Sequence, residues 1–177
     1  MYSQAFPRTQ HYHSFAFVDF LLQSLYREAT LLQIEENTRA FIRDHRVAHL
    51  GTASLEARPT VVPICYVFDG QCMYSSLDEK LKSVGARLLA RVRNIEANPQ
   101  ISLVIDDYSE DWSKLAYVLI SGVADVIDPG EGGDEHARAV VLLRAKYPQY
   151  GSMAIESRPM LRIRPTRIKV WHGSAEC

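Results

Sequence analysis

The sequence predicts an α+β fold built on a six-stranded antiparallel β-barrel with flanking helices. Three observations lead there: short β-branched runs recur along the chain, amphipathic stretches interrupt them irregularly, and the apolar run TVVPICYVF leads through Asp69-Gly70 into a further run. A parallel sheet would separate its strands by regular helices, whereas an Asp-Gly turn between apolar runs is an antiparallel hairpin signal. The chain has 177 residues, with 47% hydrophobic and 23% charged residues, the composition of an ordinary globular protein. That length suits one domain with a real core. The expected division is an N-terminal extension over 1–33, partly mobile or helical, and a barrel domain over 34–177.

The elements follow in order. Leu31, Ile34, Thr38 and Phe41 recur at helical spacing with Arg39, Arg43 and Asp44 opposite, so a helix precedes the sheet. Val47 to Ser54 reads as a first strand bent at Gly51. Thr60 to Phe68 and Gln71 to Ser76 read as a hairpin, with Pro63 demanding an edge or a bulge because it has no N–H to give a neighbour. Lys80 to Asn98 reads as a helix stopped by Asn98-Pro99. Ile101 to Asp106 and Leu115 to Ile127 are further strands, the second bending at Gly122. A helix around Ala137 to Tyr147 and a last strand from Leu161 to Trp171, interrupted at Pro165, complete the pattern.

Charge and cysteine content narrow the function classes. Twenty Lys and Arg against 21 Asp and Glu leave no bulk positive field for a nucleic acid. Cys65, Cys72 and Cys177 have neither zinc-site spacing nor disulfide-scaffold density, which suits a reducing, cytoplasmic setting and no metal. The apolar segment from Phe15 to Leu25 is too short to span a bilayer and contains Asp19, so no membrane partner is expected.

The most informative stretch for chemistry is Tyr74 to Lys82, YSSLDEKLK. Ser76 and Glu79 have capping-box spacing, which places a helix N-terminus directly after a strand. Its unpaired N–H groups, the hydroxyls of Ser75 and Ser76 and the ammoniums of Lys80 and Lys82 together suit a phosphate; a plain cap with two solvated lysines is the other reading of the same residues. His49 reads as a hydrogen-bonded barrel residue, and the acidic run Asp106, Asp107, Glu110, Asp111 as a solvated loop.

Taken in order, HLGTAS, RPTVVPICYVFDGQCMYSSLDEK, RNIEANPQISLVID, DDYSEDWSKL and SGVADVI resemble the pyridoxamine-phosphate-oxidase-like flavoprotein superfamily, and within it the deazaflavin (coenzyme F-420) branch. The resemblance implies an FMN-binding-type split β-barrel, a homodimer with two cofactor sites at the subunit interface, and an oxidoreductase passing hydride to or from a small organic substrate. By the same resemblance Val61, Val62 and Pro63 would line the cofactor ring and Ser75, Ser76, Lys80 and Lys82 would hold its phosphate. Trp112 and Trp171 would approach the ring from the second subunit. FMN is favoured over F-420 as the more widely available ligand, although Arg87, Arg91 and Arg93 would suit the acidic tail of F-420. The strand-two arginine of the phosphate oxidase itself falls near Val61, so oxidation of pyridoxamine phosphate is not expected. A non-catalytic flavin or haem carrier on the same barrel is the alternative, with His49 or His172 as axial ligand.

Overall fold

The structure is a computed structural model, and it describes residues 32–77 and 89–174. Within the unit that begins at Ile34, the chain runs as helix α1 (Glu36–Asp44), strands β1 (Val47–Ala53), β2 (Pro59–Cys65), β3 (Val67–Phe68) and β4 (Met73–Ser76), helix α2 (Ala90–Ala97), strands β5 (Gln100–Asp107) and β6 (Ala116–Ile127), helix α3 (Gly133–Lys146) and strand β7 (Met160–His172). All seven strands join one antiparallel sheet in the order β2-β1-β5-β6-β7-β4-β3. The sheet curls until β2, at one edge, comes alongside β4 near the other.

Seven strands replace the expected six because TVVPICYVF is two strands, not one. The break falls at Tyr66, which is fully buried and takes its backbone partners elsewhere. Its N–H donates to the Tyr147 hydroxyl at 3.0 Å, and its own hydroxyl donates to the Ile42 carbonyl at 2.6 Å. The expected hairpin of β2 with β4 is corrected accordingly. Residues 59–65 pair with β1, and only Val67 and Phe68 pair back onto β4 through the Asp69-Gly70 turn. In that turn the Asp69 carboxylate accepts the N–H groups of Gln71 and Cys72, and Gly70 takes φ +101°, a conformation open to glycine.

Alternation fixes the two faces of the sheet. Ala48, Leu50, Thr52, Leu103, Ile105, Val118 and Ile120 point inward, while Val47, His49, Asp106 and Tyr117 point out. The inward residues form the main core with Ile42 of α1 and Val92 and Ile95 of α2. A second core gathers Leu143, Tyr147 and Tyr150 against Val67, Tyr74 and Met160. The expected bend at Gly122 is a β-bulge between Ser121 and Gly122, where a Cβ would run into the Arg164 carbonyl of β7. Opposite it Pro165 is absorbed by the register shift, so β7 continues unbroken where an interruption was expected. Helix α1 begins later than its apolar spacing suggested, and of the helix expected from Lys80 only Ala90–Ala97 lies among the described helical residues.

Candidate cofactor site at the barrel seam

The two groups of residues singled out by the sequence lie on the strands that meet where the sheet curls round. Ser75 and Ser76 end β4, opposite Leu161 and Met160 of β7, and both are buried although neither is apolar. The Ser76 hydroxyl oxygen is buried with no hydrogen-bond partner among the described residues. Buried polar groups are nearly always paired, and leaving one unpaired costs roughly 1–3 kcal/mol, so an orphan of this kind marks a place where a partner belongs. Lys80 and Lys82, with the capping Glu79, lie outside the described residues.

Across the seam, β2 pairs with β1 alone among the described residues, which leaves its other backbone edge without a described strand partner. Pro63, opposite His49, is exposed, and so is Val61, at 66%. The proline on an edge strand is the placement expected from its missing N–H. Val62 alternates to the other face and packs against the main core, so only its backbone can serve a ligand on the outer side.

Trp112 precedes β6, and Trp171 lies near the end of β7. Trp112 opens a short 3-10 turn capped by Asp111, whose carboxylate accepts the Ser113 N–H. Gly173 lies against the Trp112 carbonyl, with its N–H donating to Leu115 at 2.7 Å. Trp171 stacks on Tyr117 at 5.5 Å, and both indoles are open to solvent. From β2 to β7 is four strand spacings, roughly 19 Å along the sheet. Measured along the sheet, Trp171 and Val61 are therefore on strands well separated in the ladder.

Sequence reasoning missed the polar groups that share this outer face. His49 is exposed with Nδ1 3.6 Å from Asp106, not enclosed in the barrel, and His45 Nε2 lies 2.9 Å from Asp107. Two members of the acidic run thus face His49 of the first strand and His45, the residue that follows α1. Strand parity, read outward from Val47, was the signal that could have placed His49. Also missed was the network behind β4: Tyr74 donates to Glu135, which with Asp125 holds the Arg162 guanidinium at 2.7 and 2.6 Å. It ties β4, β6, β7 and α3 together. Asn94 in the Asn-Ile-x-x-Asn-Pro segment is buried and donates to Thr52 at 3.0 Å, which docks α2 on β1.

A curled antiparallel sheet with an open seam defines the class as a split β-barrel. The chain belongs to the pyridoxamine 5'-phosphate oxidase family, whose model matches residues 34–172. Solved structures agree on the fold. A conserved hypothetical protein from Mycobacterium tuberculosis superposes with a TM-score of 0.63 at 19% identity, covering 81% of this chain and 88% of that one. The haem storage protein HutZ from Vibrio cholerae gives 0.60 at 13% identity, over 80% and 96% of the two chains. An F420 reductase gives 0.52 at 19% identity, over 78% and 98%. No curated protein sequence matches significantly.

Proposed function

We propose that this chain is a cytoplasmic, homodimeric oxidoreductase that uses FMN, or alternatively the deazaflavin F-420, to move hydride to or from a small organic substrate. The observation that carries this reading is the buried Ser76 hydroxyl at the seam, which has no hydrogen-bond partner among the described residues and lies on the strand that β2 comes alongside. A phosphate oxygen would satisfy that hydroxyl, and Ser75 and the ammoniums of Lys80 and Lys82 would complete a charge-assisted set of donors. Val61 and Pro63 offer an apolar ledge for a flat ring, with the backbone of Val62 between them. The bound ring would supply the redox chemistry, while the chain's own residues bind and orient it.

The homodimer is supported by the outer face. Val61, Trp112, Tyr117 and Trp171 are exposed large apolar residues, the kind of surface that calls for a partner. A second copy packed on this face would bring its tryptophans to the β2 edge.

The test is fluorescence titration of cofactor-free protein with FMN and, separately, F-420, alongside Ser76→Ala and Lys80→Ala. Micromolar or tighter binding that weakens at least ten-fold in both variants supports the site and names the cofactor. No binding of either rejects it. A haem carrier is the second reading, favoured by the likeness to HutZ and by the exposed His49 with a carboxylate behind its ring. A Soret band on haem titration that His49→Ala or His172→Ala abolishes would select it.

A further inference from the structure

A cavity of about 390 Å³ opens between the start of β1, the end of β2 and the turn after α3; its described lining is Arg46, Val47, Cys65, Tyr147, Gln149 and Tyr150. That volume lies within the range of small-molecule sites, roughly 300–1,000 Å³. Val47, Cys65 and the two tyrosines, which meet edge to face at 5.6 Å, make most of the lining apolar. No acidic residue is among the described lining residues, and its single charge is the Arg46 guanidinium.

That guanidinium is held in place by contacts other than an ion pair to any described residue. It stands 5.0 Å from the centre of the Tyr147 ring and donates through Nη2 to the Lys146 carbonyl at 2.7 Å, which occupies one of five N–H donors. Immediately behind it is a second cation. The Lys146 ammonium lies 4.2 Å from the Tyr66 ring centre and donates to the His45 carbonyl at 2.6 Å. Among the described residues neither cation has a carboxylate within ion-pair distance; Asp44 acts on Lys146 only from farther off. Burial first and the Arg46 charge second pull the Lys146 ammonium down to about 8. Two cations pressed together beside an apolar hollow are the complement of an anion with an apolar body.

The geometry points to a binding site for a small flat organic carboxylate, its carboxylate on the Arg46 fork and its body against Val47, Cys65 and Tyr150. Guanidinium and carboxylate match as two parallel hydrogen bonds, which no neutral analogue reproduces. The site does not use Ser76, Lys80 or Lys82, so it stands whether or not the seam holds a flavin.

The probe pair is indole-3-acetate and the uncharged indole-3-acetamide, titrated calorimetrically into the full-length protein. The acetate is expected to bind at least ten-fold more tightly. Arg46→Met, which keeps an apolar stem, should erase that preference, and Arg46→Lys should keep part of it, so a fold defect in one variant does not hide the answer. Bound indole-3-acetate should also slow alkylation of Cys65 relative to Cys72. Equal binding of the two probes, a preference that survives Arg46→Met, no binding of either, or no protection of Cys65 would each overturn the site.

Discussion

Replacing Ser76 by alanine should move stability and cofactor affinity in opposite directions. In the cofactor-free protein the Ser76 oxygen is buried without a partner among the described residues, so the fold carries the desolvation of a hydroxyl with nothing in return. Mutational data put that cost at about 1–3 kcal/mol. Alanine removes the hydroxyl and fills nearly the same space, so the cofactor-free variant should be more stable by about 1 kcal/mol, or roughly 2–4 °C in Tm for a domain of this size. With FMN present, the variant lacks one charge-assisted hydrogen bond worth about 1.5–3 kcal/mol, so affinity should drop roughly 10- to 100-fold. Thermal unfolding with and without saturating FMN reads both effects in one experiment. A purely structural serine would behave otherwise, and a variant that is less stable without cofactor yet binds FMN unchanged would refute the reasoning.

Three further outcomes follow from the packing. Tyr66→Phe strips the donor from the buried Ile42 carbonyl, and urea unfolding should show a loss of about 1–3 kcal/mol. Gly122→Ala drives a Cβ into the Arg164 backbone at the bulge and should lose about 2 kcal/mol or more, whereas Gly151→Ala, with nothing near its added Cβ, should be close to neutral in the same assay. The third concerns pH: the Lys146 ammonium is lowered from 10.5 to about 8 in the folded protein, so between those values the unfolded chain holds more protons and stability rises with pH. Half-exposure and solvent screening reduce the size of the effect. The stability of the native protein minus that of Lys146→Met, followed by urea unfolding from pH 7 to 10, should therefore climb above pH 8; a flat difference would count against the shift.

Much of the fold was legible because strand alternation and turn chemistry are local. Asp69-Gly70, the glycine bend at 122 and the stop at Asn98-Pro99 each act through neighbouring backbone, and each is found where the sequence puts it. What was not legible depends on distant partners. Nothing near Tyr66 announces that its N–H is claimed by Tyr147, 81 positions away, so the split of β2 from β3 and the corrected hairpin lay beyond reach. Pro63 did signal an edge, because a missing donor is a property of the residue itself. For the proposed site, the residue types at 61–63 and 75–76 were readable, yet the approach of β2 to β4 required the curl of the whole sheet. His49 shows the limit on the outer face: strand parity points it outward, but only β5 supplies the carboxylate beside it.

The strand order has a consequence for how the protein is made. β4 finds its long-range partner in β7, which ends at His172, whereas β1, β2, β5 and β6 can pair among themselves as soon as they leave the ribosome. The early-synthesised segment from Val67 to Ser76 must therefore wait, with its apolar side chains uncovered, for nearly the whole remaining chain. Such non-local closure is slow and leaves an aggregation-prone edge exposed in the meantime. The serine pair is thus among the last features to be assembled, and a nascent chain stopped before β7 would have much of its core but no partner strand for the serines.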